Sequence, residues 1–323
     1  MEKEQPLHQP SDKLVKATFA DPVNAAGFFQ AHLEPTVASK VDWRSLRLEN
    51  TSFIDAQMVG SESDLLFSAR TSAGEALLYL LFEHQSREDP WMALRLLRYM
   101  VRVWERTAHQ KSASACLPLI LPIVLTQGSA PWKKPARFHS LFSEGGSVWG
   151  AAKAFTPDFC FQLVQLRELG FGEIGGTPGG ILTLRALKAS SSGDLLSESV
   201  WDEQLMTRLS PEALQRLLRY IYSGEVDKAD FRRKVQRVRD FTLHQTTMTL
   251  EQQFREEGKL EGKLEGKLEG KREALLTALE SRFGALPEGL KEEVQKRTAG
   301  ASLDRLFLEA LGCASLEEFS RSL

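Results

Sequence analysis

Short apolar segments alternate with amphipathic segments along the first 190 residues, and this pattern predicts a mixed α/β domain. Segments 63–70 and 76–85 are mostly apolar and flank a turn-like stretch, which predicts a β-hairpin. Segments 117–126 and 158–166 are predicted as further buried strands. Strands that are apolar on both faces are typical of sheets covered by helices on each side. We therefore expect a mixed central sheet flanked by helices.

Aspartate or serine followed closely by proline marks the start of several predicted helices. Such a side chain accepts hydrogen bonds from the free N–H groups of the first helical turn, and proline has no N–H to satisfy there. The predicted helices run from Ser11 or Asp12 to about residue 20, from Asp21-Pro22 to before Pro35, and from Asp89-Pro90 to about Thr107. The Gly-rich stretch 170–180 is predicted as a loop, and Ser190–Gly193 as a domain boundary.

Helical patterns dominate after residue 194, so an all-α region is expected to follow the α/β domain. Helices are predicted over about 195–209, 211–222 and 227–254. The sequence GKLE then occurs three times between Gly258 and Glu269, on a backbone that glycine weakens as a helix. Two interpretations of this segment stay open, a flexible tether and an oligomerising helix. The predicted organisation is a flexible N-terminus (1–10), an α/β domain (11–190), a helical extension (191–257), a repeat linker or coiled segment (258–271) and a helical C-terminal domain (272–323).

Asp64 and Glu83 lie at the two ends of the predicted hairpin. With the turn centred between Ala73 and Gly74, paired positions sum to 147, so position 64 lies opposite position 83. Opposite residues on one face have Cβ atoms about 5 Å apart, and two carboxylates at that separation repel unless a cation lies between them. The pair is therefore a candidate site for a divalent metal, Mg²⁺ first, with Mn²⁺ or Ca²⁺ as alternatives. Alternation places Gln85 on the same face, while His84 points the other way and is expected to pack or hydrogen-bond structurally.

An Asp on one strand and Glu-x-Gln at the end of the next resembles the PD-(D/E)XK nuclease superfamily. The stretches SDLLFS, LLFEHQS and MALRLLRYMVRVWER resemble the recombination-promoting nuclease (Rpn) family, also described as a transposase-like family of bacteria. Further similar stretches occur in the same order over roughly residues 11 to 170. The resemblance implies a restriction-endonuclease-like core and metal-dependent cleavage of DNA that leaves a 3′ hydroxyl, linked to recombination or mobile elements. Residues 272–323 resemble a helical domain of unknown function often attached to this family.

The resemblance also implies roles for individual residues. Asp64 and Glu83 would hold the metal and, with Gln85 and Asp12, would form the catalytic set. The superfamily usually has Lys at the place of Gln85; without that charge, stabilisation of the reacting phosphate would fall more heavily on the metal. Asp12 has a second interpretation, because a carboxylate in the first turn of a helix is favoured by the helix dipole alone. Gln165 stands where the family tends to carry an acidic residue.

Basic residues form two stripes on predicted helices. The basic face of the long helix has two interpretations. It is either a solvated face opposite an apolar one, or it contacts DNA phosphates, since the helix begins soon after Gln85. We expect DNA contacts from Arg95, Arg98 and Tyr99. The basic face carries Arg95, Arg98, Arg102 and Arg106, and the apolar face carries Trp91, Leu94, Leu97 and Val101. The second stripe, six basic residues within 228–239, is either a solvated face or a further DNA contact.

Composition limits the functional classes without selecting one. The chain has 323 residues and a net charge of −2, so nucleic-acid binding would require local basic surfaces. Cys116, Cys160 and Cys313 are scattered, which excludes a cysteine-based zinc cluster and suits a reducing cytoplasm. The N-terminus lacks the apolar run of a signal peptide. The longest apolar run, 117–125, is too short to span a bilayer, so we expect a cytoplasmic protein without a membrane partner.

The sequence as a whole predicts a DNA endonuclease. Two alternatives stay open: a nuclease-fold module that binds DNA but cuts slowly or not at all, with Gln85 as the weakness, and an interaction protein whose helical C-terminal region assembles partners. A homo-oligomer formed through that region is compatible with all three.

Overall fold

The computed structural model describes residues 10–50, 65–71, 77–110, 116–142, 147–297 and 300–321. The chain divides into two compact units, Met1–Met248 and Thr249–Leu323. The helices of the first unit are α1 (Pro10–Phe19), α2 (Pro22–His32), α3 (Pro35–Ala38), α4 (Met92–Gln110), α5 (Ser147–Ala152), α6 (Pro178–Ser190), α7 (Glu203–Met206), α8 (Pro211–Ser223) and α9 (Lys228–Gln236). Helix α10 (Phe241–Phe283) begins in the first unit and lies mostly in the second, followed by α11 (Glu288–Gln295), α12 (Gly300–Gly312) and α13 (Leu316–Ser320).

Five strands form one mixed sheet in the order β1-β2-β3-β4-β5. The strands are β1 (Val41–Leu48), β2 (Leu65–Thr71), β3 (Leu77–Gln85), β4 (Leu119–Thr126) and β5 (Gln162–Gln165). The pairs β1–β2 and β2–β3 are antiparallel, whereas β3–β4 and β4–β5 are parallel. The predicted mixed α/β class is confirmed, and the last predicted strand is shorter than the segment 158–166.

The hairpin of β2 and β3 has the predicted register over its described length. Its pairs run from Leu65↔Phe82 to Arg70↔Leu77, and in each pair the two residue numbers sum to 147. Of the predicted turn 71–75, residues 72–75 lie outside the described residues, and so does Asp64. The confirmed register therefore ends one position short of the predicted Asp64–Glu83 pair.

Helices cover the sheet from both sides, as expected. On one face Phe82 contacts the rings of Phe19 in α1 and Phe28 in α2 at centroid distances of 5.5 and 5.0 Å. Helix α6 packs against both of these helices. On the other face, helix α4 shares a buried core with residues of β2, β4 and the segment before β5; its members include Met92, Leu96, Leu66, Val124 and Phe161.

The capped helix starts are confirmed. Asp21 accepts a hydrogen bond from the backbone N–H of Val23 at 2.9 Å, and α2 begins with Pro22. The N-cap Ser210 does the same for α8 through the N–H of Ala213 at 3.3 Å. Asp89 accepts from the N–H of Trp91 at 2.8 Å, and α4 begins at the next residue. These devices act within one helical turn, which is why the sequence alone predicts them.

The prediction of a helix over 195–209 is wrong. Residues 194–200 form turns, and only the short α7 is helical. Leu195 and Trp201 are buried from these turns, and Arg185 of α6 binds the turn through the carbonyl of Ser199 at 3.1 Å and the carboxylate of Asp202 at 3.3 Å. Tertiary burial and this arginine hold the segment as turns, which include local backbone hydrogen bonds such as that from the N–H of Trp201 to the carbonyl of Ser197 at 2.8 Å.

Three further differences concern helices and strands of the first unit. The predicted loop 170–180 ends at Thr177, which caps α6 by accepting from the N–H of Gly180 at 3.2 Å. The helix predicted over 227–254 is broken at 237–240, between α9 and α10. The edge strand β1 was not predicted; its pairing with β2 is irregular between Asp42 and Arg47.

Two glycines allow a close backbone crossing between α2 and the segment before α6. A Cβ atom on Gly27 would lie 2.9 Å from the backbone nitrogen of Thr177. Gly176 has a φ of 128°, which other residues rarely adopt. Both positions therefore require glycine.

The predicted boundary Ser190–Gly193 falls inside the first unit, which extends to Met248. Helix α8 packs against α1 and α6, and the hydroxyl of Tyr220 lies 3.1 Å from that of Ser11. Residues 191–248 therefore belong to the same compact unit as the sheet.

The second unit is helical, as expected for the C-terminal region. The GKLE repeats form part of α10, so this segment is helical. Oligomerisation through it stays a prediction. Leu260 and Leu264 of the repeats are 70% and 60% exposed. Residues of α10 to α13 share a core that includes Leu275, Leu279, Val294, Leu306 and Phe319. None of the helices in the described part of the chain combines the length and the apolar character needed to cross a bilayer.

Candidate functional site

The parallel strands bring three polar residues into one row at their C-terminal ends. Gln85 of β3 pairs with Thr126 of β4, and Thr126 pairs with Gln165 of β5. Val124, two residues before Thr126, belongs to the core beneath α4. Since side chains alternate along a strand, the row belongs to the α4 face of the sheet. This edge is where the sequence predicts the metal site.

Glu83 is the third residue from the C-terminal end of β3, and its backbone pairs with Val124 of β4. By alternation this position belongs to the same face as Gln85. Asp64, the other predicted metal ligand, lies outside the described residues. The roles of Asp64, Glu83 and Gln85 therefore stay predictions.

Asp12 and His84 form a buried pair on the opposite face of the sheet. The Oδ1 atom of Asp12 lies 2.6 Å from Nδ1 of His84, and the two residues are 8% and 2% exposed. The structural role predicted for His84 is confirmed. Asp12 was expected beside the metal site, but its carboxylate contacts His84. By alternation, the side chain of His84 lies on the opposite face of β3 from that of Gln85. The structure gives Asp12 a structural partner, and its catalytic role stays a prediction.

Gln165 is held from two sides at the end of β5. Its Oε1 atom accepts the backbone N–H of Trp132 at 2.9 Å, and its Nε2 atom donates to Oε1 of Glu168 at 2.8 Å. A carboxylate therefore lies beside the amide of Gln165. Sequence analysis missed Glu168 and Thr126, because neither belongs to a motif and only the strand register brings them to this edge.

Helix α4 presents a different face to the sheet than the sequence suggested. Tyr99, predicted to contact DNA, is 2% exposed and belongs to the core. In contrast, Trp91, Leu94 and Val101, assigned to the apolar face opposite the arginines, are 61%, 41% and 39% exposed. The buried positions are Met92, Leu96, Tyr99, Met100 and Val103, which recur at the helical spacing.

Two of the arginines expected at DNA lie near the start of α4. The guanidinium of Arg95 is 3.8 Å from the carboxylate of Asp89 and 6.0 Å from the ring centre of Tyr99. Arg98 is exposed. The exposure of Arg98 is compatible with DNA contact, whereas Arg95 is half-buried beside Asp89 and the burial of Tyr99 does not favour such contact.

The basic stripe of α9 is partly compensated within the first unit. Arg233 pairs with Asp230, and Lys234 pairs with Glu198. The ammonium of Lys228 lies 4.0 Å from the ring centre of Tyr222, and burial lowers the pKa of this lysine. The solvated interpretation of this stripe is the better supported one.

A second ionic cluster ties the loop after β4 to the segment before β5. Asp158 accepts hydrogen bonds from Nε of Arg137 at 2.7 Å and from the backbone N–H of His139 at 3.1 Å. The hydrogen bond from Arg137 lowers the pKa of Asp158, and the same contact raises the pKa of Arg137. This cluster is a structural clamp. Within the described ranges, no group of three or more His, Cys, Asp and Glu side chains is placed to hold a metal.

Comparison with known proteins identifies the family. The family described as "Putative transposase, YhgA-like" matches residues 9–211. The chain belongs to the YhgA-like transposase family. The resemblance to recombination-promoting nucleases is thereby confirmed, and the matched range includes α1, the whole sheet and α6.

Several proteins of Escherichia coli are similar to this YhgA-like chain. Recombination-promoting nuclease RpnD of strain O157:H7 is 39% identical over 127 residues, which cover 38% of this chain and 48% of RpnD. Recombination-promoting nuclease RpnA of strain K12 is 33% identical over 119 residues, which cover 37% and 40% of the two chains. The protein named putative inactive recombination-promoting nuclease-like protein YjiP, also of K12, is 40% identical over 94 residues, which cover 29% of this chain and 91% of YjiP.

The alignments span less than half the length of RpnD and RpnA. No solved structure matches the chain. The similarity therefore shows the family, and the activity of this protein has to be argued from its own residues.

Proposed function

We propose that this protein is a divalent-metal-dependent DNA endonuclease with a restriction-endonuclease-like core. The observation that carries the proposal is the hairpin register, which is unbroken from Arg70↔Leu77 to Leu65↔Phe82. One further step of the same register would bring Asp64 opposite Glu83. Both would then lie on the face of Gln85, at the C-terminal edge of the parallel strands.

The donor set of this edge suits a hard cation. Carboxylates at 64 and 83 and the amide oxygen of Gln85 are oxygen ligands, which Mg²⁺, Mn²⁺ and Ca²⁺ prefer. A cation bound there lowers the pKa of a water molecule and offsets negative charge on the phosphodiester. Asp64 and Glu83 would hold the cation, and Gln85, which can both donate and accept hydrogen bonds, would orient the water.

The names of the relatives support a nuclease linked to recombination, since RpnD and RpnA are named as such. They also support a second candidate. YjiP is named as a putative inactive nuclease-like protein, and this chain has Gln85 where the superfamily usually has a charged lysine. The second candidate is a nuclease-fold protein that binds DNA without cutting it.

Nicking of supercoiled plasmid distinguishes the two candidates. We expect open-circular product with Mg²⁺ or Mn²⁺, and none after addition of EDTA. A protein that shifts plasmid in a gel but gives no product with Mg²⁺, Mn²⁺ or Ca²⁺ would be the binding module. Product that resists EDTA would contradict the metal-dependent proposal.

A further inference from the structure

The loop that follows β4 is fixed against the end of β3. The backbone N–H of Gln127 donates to the carbonyl of Gln85 at 3.2 Å. Gly128 follows, and a Cβ atom at this position would lie 2.9 Å from the carbonyl oxygen of Ser86. The loop can therefore pass this close to β3 only because residue 128 has no side chain.

Two further contacts fix the middle of the same loop. The N–H of Trp132 donates to the side chain of Gln165 at the end of β5, at 2.9 Å. The next two N–H groups, of Lys133 and Lys134, both donate to a single carboxylate oxygen, Oε1 of Glu88, at 2.9 and 2.7 Å. Glu88 is three residues beyond Gln85. The backbone of the two lysines is thus held at the sheet edge that carries the proposed site.

The lysine side chains carry charge that the described residues do not compensate. Both lysines are exposed, and neither forms an ion pair with a described residue. In contrast, Arg233 and Lys234 of α9 are paired with carboxylates. Among the described residues, Glu88 is the acid bound to this part of the loop, and it is held through backbone N–H groups and not through the ammonium groups.

We propose that Lys133 and Lys134 bind phosphates of the DNA backbone beside the proposed active site, and that Glu88 is the residue that positions them. The inference rests on the proposed DNA-binding function. Lysine is a flexible point charge suited to phosphate contacts that do not depend on sequence. Two such charges on a fixed loop add positive charge at an edge where Gln85 provides none.

The test is the salt dependence of DNA binding, measured in EDTA so that no cleavage occurs. The fluorescence anisotropy of a labelled duplex is measured at salt concentrations between about 50 and 200 mM. Each phosphate contact contributes about 0.9 to the slope of log K against log salt. The double variant Lys133→Gln/Lys134→Gln should reduce the slope by about 1.8 and weaken binding on the order of tenfold at the lower salt concentration.

The matched control removes two exposed lysines of α1, on the other side of the sheet. Lys13→Gln/Lys16→Gln changes the net charge of the same unit by the same amount. We expect its slope to equal that of the parent. Equal slopes for the parent and the Lys133/Lys134 variant, or equal losses in both double variants, would overturn the proposal.

Glu88 has a test of its own. Glu88→Gln keeps an oxygen that can accept both N–H groups, so it should bind DNA as well as the parent or better. Glu88→Ala removes the acceptor and should lower affinity severalfold, with the melting temperature measured alongside. If the Ala variant binds like the Gln variant, Glu88 does not position the lysines.

Cleavage kinetics separate this inference from the proposed function. In an active enzyme the lysine variant should raise KM and leave kcat at saturating DNA within about twofold, as expected for contacts made equally in the ground and transition states. If the parent never cuts DNA but the double lysine variant still has a smaller salt slope than the parent, the proposed endonuclease activity is refuted and the phosphate contacts are supported. An active enzyme with unchanged KM and salt slope in the variant would refute the phosphate contacts alone.

Discussion

The carboxylate of Asp12 lies 2.6 Å from Nδ1 of His84, so the first helix is tied to the centre of the sheet by one buried hydrogen bond. The partner residue lies between Glu83 and Gln85, the two β3 residues assigned to the proposed site. A substitution at Asp12 can therefore affect activity through the position of β3 as well as through chemistry.

Substitution of Asp12 should separate these two roles. Asp12→Ala removes the buried hydrogen bond between the carboxylate and Nδ1 of His84, so we expect the free energy of unfolding to fall by about 1–3 kcal/mol. Asp12→Asn keeps a hydrogen-bonding oxygen and should cost less. Chemical denaturation measures both variants. If Asp12→Asn is as stable as the parent but cannot nick plasmid, the catalytic role predicted from the family resemblance would be supported over the structural one.

Removal of either proposed metal ligand should abolish cutting. Asp64→Ala and Glu83→Ala each leave one carboxylate, which is too few for a tightly held divalent cation at this edge. We expect a loss of nicking of at least about 100-fold, since a metal supplies several kcal/mol of transition-state stabilisation. DNA affinity in EDTA should be largely kept. Glu225→Ala, an exposed acid of the same unit, is the control; a Glu83→Ala variant that cuts like it would remove Glu83 from the site.

Gln85→Lys should keep or raise the nicking activity. The lysine would restore the positive charge that the superfamily usually has at this place, close to the developing charge on the phosphate. Plasmid nicking is compared with that of Gln236→Lys, which adds the same charge on an exposed position of α9. Complete loss of activity in a Gln85→Lys protein with an unchanged circular dichroism spectrum would mean that Gln85 makes a hydrogen bond that lysine cannot replace.

The repeats of α10 should mediate self-association. Leu260 and Leu264 of α10 are exposed. Each leucine is preceded by Lys and followed by Glu, so on the helix Lys lies about 100° to one side of the leucine and Glu about 100° to the other. In a parallel helix pair the Lys side of one copy faces the Glu side of the other, whereas an antiparallel pair would oppose like charges. We therefore expect a parallel homo-oligomer.

Light scattering on the full chain tests this arrangement. Leu260→Gln/Leu264→Gln should lower the mass at a given concentration, while Leu308→Gln/Leu311→Gln, which changes two other exposed leucines of the second unit, should not. Single Leu260→Cys and Leu264→Cys variants should both form cross-linked dimers, because an antiparallel pair can bring at most one of the two positions opposite itself. Truncation after about residue 250 should give the lower mass and still allow metal-dependent nicking at high enzyme concentration. A monomeric parent would leave the repeat helix as a spacer.

Acid should destabilise the first unit partly through His32. Burial lowers the pKa of His32 below its ordinary value of 6.5, and a hydrogen bond with the backbone of Gly175 acts in the opposite direction. Between the lowered pKa and 6.5 the unfolded chain therefore binds more protons than the folded one. The stability that neutral His32 contributes is complete above pH 6.5 and is lost as the pH falls below it. As the pH is lowered from about 7.5 to about 5, the melting temperature should fall less steeply for His32→Gln than for the parent. The control His109→Gln, at an exposed position, should follow the parent.

The sequence predicts those parts of the fold that depend on local chemistry. Asp21-Pro22 and Ser210-Pro211 mark helix starts because the cap and its N–H donors lie within one turn. The hairpin register follows from a short turn between two apolar strands. These features need no information from distant residues.

The parts that the sequence did not predict depend on tertiary burial. Helix α6 contains Gly179 and Gly180 in its first turn, which disfavour a helix locally, yet most of its later residues are buried. Strand β1 is polar and half-exposed, because it forms the edge of the sheet. The contact between Asp12 and His84 joins positions 72 residues apart, which no spacing rule reveals.

The crossing of Gly27 and Gly176 also constrains the order in which the chain can fold. Helix α2 is made early in synthesis, but the backbone that packs against its glycine follows β5. During translation, therefore, the first helices and the hairpin exist before the segment that completes their packing. The side of α2 that carries Gly27 remains uncovered until the segment before α6 has left the ribosome, so folding of this unit is completed late and is exposed to misassociation in the interval.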